Sequence, residues 1–160
     1  MRLMTLHAYV GAAEHTGART RMGVVFADAQ GRTLRKISRT LPGPATTSLA
    51  VFRGIVCALW NSRRLGARRV IVHCPDPDVA AQINGDREVD EEFVGPYLEV
   101  RALLHAYRAA RIEPGPAPEN EMFWQRMAQS LADAALDHDV DETVEDLPLW
   151  SGLMEERSTA

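Results

Sequence analysis

Apolar and polar residues alternate along 3–12 (LMTLHAYVGA), 20–28 (TRMGVVFAD) and 33–41 (TLRKISRTL), which is the period of half-buried strands. The links between them are short, and AQGR carries the turn glycine Gly31, so the three segments predict an antiparallel meander. Pro42 and Pro44 break this pattern, and from 46 to 66 the spacing becomes helical. Leu49, Phe52, Ile55, Val56, Leu59 and Trp60 fall on one stripe, Thr46, Thr47 or Ser48 can cap the start, and Gly66 suits the end. RRVIVHC (68–74) is a short apolar run fit for a central strand, and Asp78 is placed to cap a helix over VAAQING. A helix is expected over 91–108, with Gly95-Pro96 ending or kinking its first turn, then a fifth strand over 110–115 and a final helix over 119–137.

The order β-β-β-α-β-α-α-β-α predicts a mixed α/β (α+β) domain over 1–137: a five-stranded mixed sheet with helices packed on it. From 138 to 160 the chain becomes acidic around an apolar island, LPLWSGLM. That stretch reads either as a flexible solvated tail or as a docking segment whose Leu149, Trp150 and Leu153 enter a groove.

Composition narrows the classes. At 160 residues and 46% hydrophobic content the chain can bury a real core. Its apolar runs stay well short of the roughly 18 residues that span a bilayer, and the start, MRLMTLHAYV, does not resemble a signal peptide. A cytoplasmic protein without a membrane partner is expected. The net charge of −4 excludes a strongly basic nucleic-acid binder, although a local basic face stays open. Lys36 is the single lysine among 18 basic residues, a skew that points to a GC-rich, bacterial genome. Cys57 and Cys74 show no metal-binding spacing and read as buried free thiols.

Local sequence then points to a family. GARRVIVHCPDPDVAAQING resembles the strand-helix unit of ribonuclease H type 1, whose helix ends in glutamine, an apolar residue, asparagine and glycine, here Gln82, Ile83, Asn84 and Gly85. YVGAA and GVVFADAQGRTL are similar to the family's opening strands, EEFVGPYLEVRALLHAYRAARIE to its next helix and last strand, and PENE with LADAAL to its final helix. The resemblance covers about 3–137 and implies the ribonuclease H-like fold. It also implies Mg²⁺-dependent cleavage of the RNA strand of an RNA–DNA hybrid, with carboxylates holding hard ions.

The four carboxylate positions, carried over by that resemblance, fall on Val10, Val51, Pro75 and Gln129, the last on Trp124 if no insertion lengthens the helix start. None is acidic, so the family's Mg²⁺ site is expected to be lost, with no metal or other cofactor in its place. Asp76 stands one position late and should face away. Glu14, Asp28 and Glu121 read as solvated charges. His7 and His73 lie in strands that can be neighbours, but without an acidic partner they read, like His105, as neutral imidazoles.

Three functions remain. The first is a catalytically inactive module for protein interaction or self-association, with a former cleft lined by Val10, Val51 and Trp124 now apolar and Phe123 and Trp124 as contact residues. The second is a non-cleaving binder of hybrid or duplex RNA using Arg19, Arg21 and Arg53. The third is a metal-dependent ribonuclease with a rearranged site at Asp76 and Asp78.

Overall fold

The structure is a computed structural model, and it describes residues 4–16, 19–134 and 142–147. Strands β1 (Thr5–His15), β2 (Arg19–Asp28) and β3 (Thr33–Thr40) form the meander that their alternation predicts. Helix α1 (Thr47–Arg64) follows, then β4 (Arg69–Cys74), α2 (Pro77–Asn84), α3 (Val94–Leu104), β5 (Ala109–Pro114) and α4 (Met122–Asp133). A short β6 (Glu142–Asp146) comes last. The sheet runs β5-β4-β1-β2-β3-β6, with β1, β4 and β5 parallel and the remaining pairs antiparallel.

The sixth strand departs from the five expected. Glu142–Asp146 carries no apolar alternation and all five residues are exposed. Cross-strand charge holds it instead: Arg35 on β3 makes a two-pronged contact with Asp146 at 2.5 and 3.1 Å, and Arg39 meets Glu142 at 3.4 Å. Two helix starts also differ from expectation. Single 3₁₀ turns, Glu91–Phe93 and Glu119–Glu121, precede α3 and α4, and α3 ends at Leu104. Pro96 lies in the first turn of α3, where its missing N–H removes no helical bond.

Helix caps explain two further boundaries. Thr46 caps α1 by accepting from Leu49 N at 3.1 Å. The cap of α2 is Asp76, not Asp78: its carboxylate accepts from Asp78 N at 3.0 Å and Val79 N at 3.2 Å, and Pro77 occupies the first helical position.

The sheet has a thick face and a thin one. Leu6, Ala8 and Val10 of β1 point into the main core with Phe52, Ile55 and Leu59 of α1 and Val100 and Leu103 of α3. Tyr9 points the other way, into a smaller cluster with Val25, Ala27, Ala117 and Ala128. There α4 lies almost on the strand backbone, because Gly11 and Gly23 are register partners on β1 and β2. A Cβ at Gly11 would come within 2.7 Å of Ala128 backbone atoms, and one at Gly23 within 2.3 Å of the Ala128 carbonyl oxygen.

Candidate functional site

The positions where carboxylates would gather are filled by packing. Val10 is 0% exposed and Val51 2%, both inside the main core. Gly54 of α1 presses so close to β1 that a Cβ there would sit 2.5 Å from Val10 Cγ1. An apolar docking patch made of Val10 and Val51 is therefore corrected to core: neither valine reaches solvent. Pro75 is half-buried at the end of β4. Two amides of α4 bond the β1 backbone, with Gln125 Nε2 donating to the Val10 carbonyl at 2.8 Å and Gln129 Nε2 to the Ala12 carbonyl at 2.9 Å. Trp124 lies elsewhere, stacked on Tyr9 at 5.7 Å and donating to Thr33 Oγ1 at 2.9 Å.

Asp76 is the acid nearest these positions in sequence, and it is already engaged. Besides capping α2 it accepts from Ser48 Oγ at 2.9 Å, and its carbonyl takes the Cys74 thiol at 3.3 Å. Burial pushes that thiol up to about 12, so it stays protonated. Apolar side chains, a proline and amides do not fit a Mg²⁺ ion, which needs carboxylate oxygens to offset its charge, and no catalytic step is routed through one. Asp76→Ala is expected to remove a helix cap and the partner of the half-buried Ser48 hydroxyl, lowering stability by about 1–2 kcal/mol. Urea unfolding measures this directly, and an unchanged midpoint would contradict the capping role.

The arginine candidates divide. Arg21 is 7% exposed, donates to Ser38 Oγ at 2.8 Å and leaves its Nε buried without a partner, so it is an interior residue and not a phosphate contact. Arg53 is exposed but paired with Glu99 at 3.1 Å. Arg19 and Arg53 line a groove of ≈ 630 Å³ together with Arg39, Leu49, Pro42 and Glu142. Arg39 went unnoticed in sequence because its place on the groove depends on how β3 meets β6. Phe123 is 62% exposed, set edge-on against Trp124. Leu149, Trp150 and Leu153 lie outside the described residues. Glu14 accepts from Thr47 at the start of α1, and Asp28 organises the β2–β3 turn through Gln30 N, Arg32 N and the Arg32 guanidinium.

The thin face gathers His7, His73 and Glu121, whose potential ligand atoms all lie within 4.8 Å of one another. His7 and Tyr9 point to the same side of β1, and parallel pairing sets Tyr9 opposite His73 of β4. His7 Nδ1 lies 3.1 Å from His73 Nε2. The 3₁₀ turn before α4 brings Glu121 above them, its Oε1 3.4 Å from His7 Nδ1, 3.8 Å from His73 Nε2 and accepting from the Tyr9 hydroxyl at 2.9 Å. Glu121 is thus the acidic partner that the sequence did not give the histidine pair. Burial lowers the pKa of both imidazoles against the opposing pull of Glu121, so both are neutral at neutral pH. Burial, the hydrogen bond and the charge of Glu121 raise Tyr9 far above the ordinary phenol. The group opens on a cavity of ≈ 250 Å³ lined by Ile71, Arg111, Glu113 and the Pro114–Pro118 turn.

Comparison with known proteins fits this architecture. Residues 8–134 match the family described as Reverse transcriptase-like. The Bifunctional protein Rv2228c of Mycobacterium tuberculosis is 28% identical over 114 residues, covering 71% of this chain, as is the Uncharacterized protein Mb2253c of Mycobacterium bovis. The chain spans only 31% of the length of these relatives. Among solved structures, RNase H1 of the archaeon Halobacterium salinarum NRC-1 superposes with a TM-score of 0.68 at 20% identity, covering 81% of this chain and 99% of that one. The N-terminal RNase H domain of rv2228c gives 0.69 at 21%, covering 81% and 94%. LC11-RNase H1 in complex with an RNA/DNA hybrid gives 0.70 at 18%, covering 84% and 98%. No helix among the described residues is long and apolar enough to cross a membrane. With solved ribonuclease H folds superposing on 81% of its length and a family match running from β1 to the end of α4, the chain belongs to the Reverse transcriptase-like, ribonuclease H-like family.

Proposed function

We propose that this domain binds without cutting, and that it binds a protein or a second copy of itself. The observation that carries this reading is the filling of the carboxylate positions: Val10 and Val51 are sealed in the core, and the amides of Gln125 and Gln129 occupy the facing side of α4. Support for a protein over a nucleic acid comes from the arginines. Arg35, Arg39 and Arg53 each hold an acidic partner of this same chain, which offsets the charge these three could offer a phosphate backbone. Phe123, exposed beside Trp124 at the start of α4, is the described residue best suited to anchor a partner.

A second reading, binding of hybrid or duplex RNA, is favoured by one observation, the groove shared by Arg19, Arg39 and Arg53. It also fits the neighbour solved with an RNA/DNA hybrid. One titration separates the two. A labelled RNA–DNA hybrid with Mg²⁺ at low salt is expected to stay uncut and unbound at micromolar protein, while sedimentation reports self-association. Salt-sensitive binding of intact hybrid, weakened by Arg53→Glu, would favour the second reading. Cleavage that tracks the protein through two chromatographic steps would overturn both.

A further inference from the structure

We propose that His7, His73 and Glu121 form a binding site for a divalent transition-metal ion of the zinc class. The ligand atoms are His7 Nδ1, His73 Nε2 and Glu121 Oε1, and their separations are 3.1, 3.4 and 3.8 Å. Ligands about 2.0–2.1 Å from a tetrahedral zinc stand about 3.3–3.4 Å apart, so the triangle already has the size of three tetrahedral corners. An octahedral face at similar bond lengths needs about 3.0 Å on every edge, a tighter triangle than this one. The donor set, two imidazoles and one carboxylate, is that of open zinc sites with three protein ligands. It is a poor set for Mg²⁺, which takes oxygen ligands.

The surroundings prepare the ligands. Neutral imidazoles are the metal-binding form, and His7 and His73 already bring their inner ring nitrogens together at 3.1 Å. The proton shared between His7 and His73 needs only to move to an outer ring nitrogen for both inner lone pairs to face the ion. Tyr9 fixes two ligands at once: its hydroxyl donates to Glu121 Oε1 at 2.9 Å, and its ring stacks on His73 at 4.3 Å, nearly parallel. Trp124 stacks on the far side of Tyr9 and holds it there. The remaining charged groups facing the site, Arg111 and Glu113, neutralise each other at 2.5 Å. One carboxylate is therefore left to meet a dication, and the fourth coordination position opens into the ≈ 250 Å³ cavity. This site lies on the face of β1 opposite the core that holds Val10 and Val51.

Titration of the full chain with zinc chloride, followed by calorimetry and thermal unfolding, is the test. One zinc per chain is expected, with a raised unfolding midpoint and no response to magnesium. His7→Gln and Glu121→Gln should each weaken binding by more than the roughly 10–100-fold that loss of an outer-shell partner costs, and Tyr9→Phe by an amount within that range. Cobalt substitution should give the intense visible absorption of a tetrahedral ion. Histidine nitrogen NMR of the unmutated protein should place zinc on Nδ1 of His7 and Nε2 of His73, which decides the matter even if a variant fails to fold. Absence of saturable zinc binding, or binding that both ligand variants leave unchanged, would overturn the site.

Discussion

Val10→Asp is expected to unfold the domain and not to arm it. Restoring an acid at this position places a carboxylate where nothing is exposed, among Val24, Phe52 and Ile55, with the backbone of Gly54 pressed against it. A buried charge left without a partner costs about 3–5 kcal/mol, and folded domains hold only about 5–15 kcal/mol in total. The direction with pH is fixed. Burial raises the folded-state pKa of the new carboxyl above its unfolded value of about 3.9, so the penalty is absent below that pH and grows as pH rises towards the folded value. Urea unfolding at neutral and acid pH, run beside a hybrid-cleavage assay, should therefore show a large loss of stability that shrinks in acid, and no cleavage. A variant as stable as its parent that cuts hybrid with Mg²⁺ would mean that the core opens readily into an active site. The proposal of a binding domain would then fall.

The same residue marks what sequence could and could not tell. That position 10 carries no acid was legible from the YVGAA motif, and the strand period assigned Val10 to one face of β1. That Gly54 closes on it was not legible, because two segments 44 residues apart must meet before a missing Cβ has meaning. The cap of α2 was within reach: Pro77 prefers the first helical turn, which makes Asp76 the cap, and it was the mere position of Asp78 before VAAQING that misled. β6 was out of reach. Its ETVED sequence lacks strand periodicity, and what fixes it are Arg35 and Arg39, about a hundred residues earlier. The histidine pair was half legible. Strand assignment sets His7 and His73 side by side, yet Glu121 reaches them only because the turn before α4 folds across the end of β1. Acidic residues at the ends of elements look alike in sequence, and only packing separates Glu121 from Glu119 beside it.

Gly23→Ala is expected to have the second large effect, and it tests how α4 is held. The new Cβ would meet the Ala128 carbonyl oxygen at 2.3 Å and Leu131 Cβ at 2.7 Å. Backbone cannot swing aside like the tip of a side chain, so the helix must move off the sheet as a unit. Overpacking commonly costs about 1–3 kcal/mol, and a rigid obstacle places this substitution at or above the upper end. Retreat of α4 also strains the bonds from Gln125 and Gln129 to β1 and draws Glu121 away from His7, so zinc affinity should fall with stability. Gly11→Ala presses on the same Ala128 backbone, which makes the pair informative. Once the helix has withdrawn from one methyl, the other finds room, so the double variant should lose less stability than the two single losses added together. Strict additivity in urea unfolding would mean that Gly11 and Gly23 act on separate parts of the fold, and that α4 does not rest on a shared two-glycine floor.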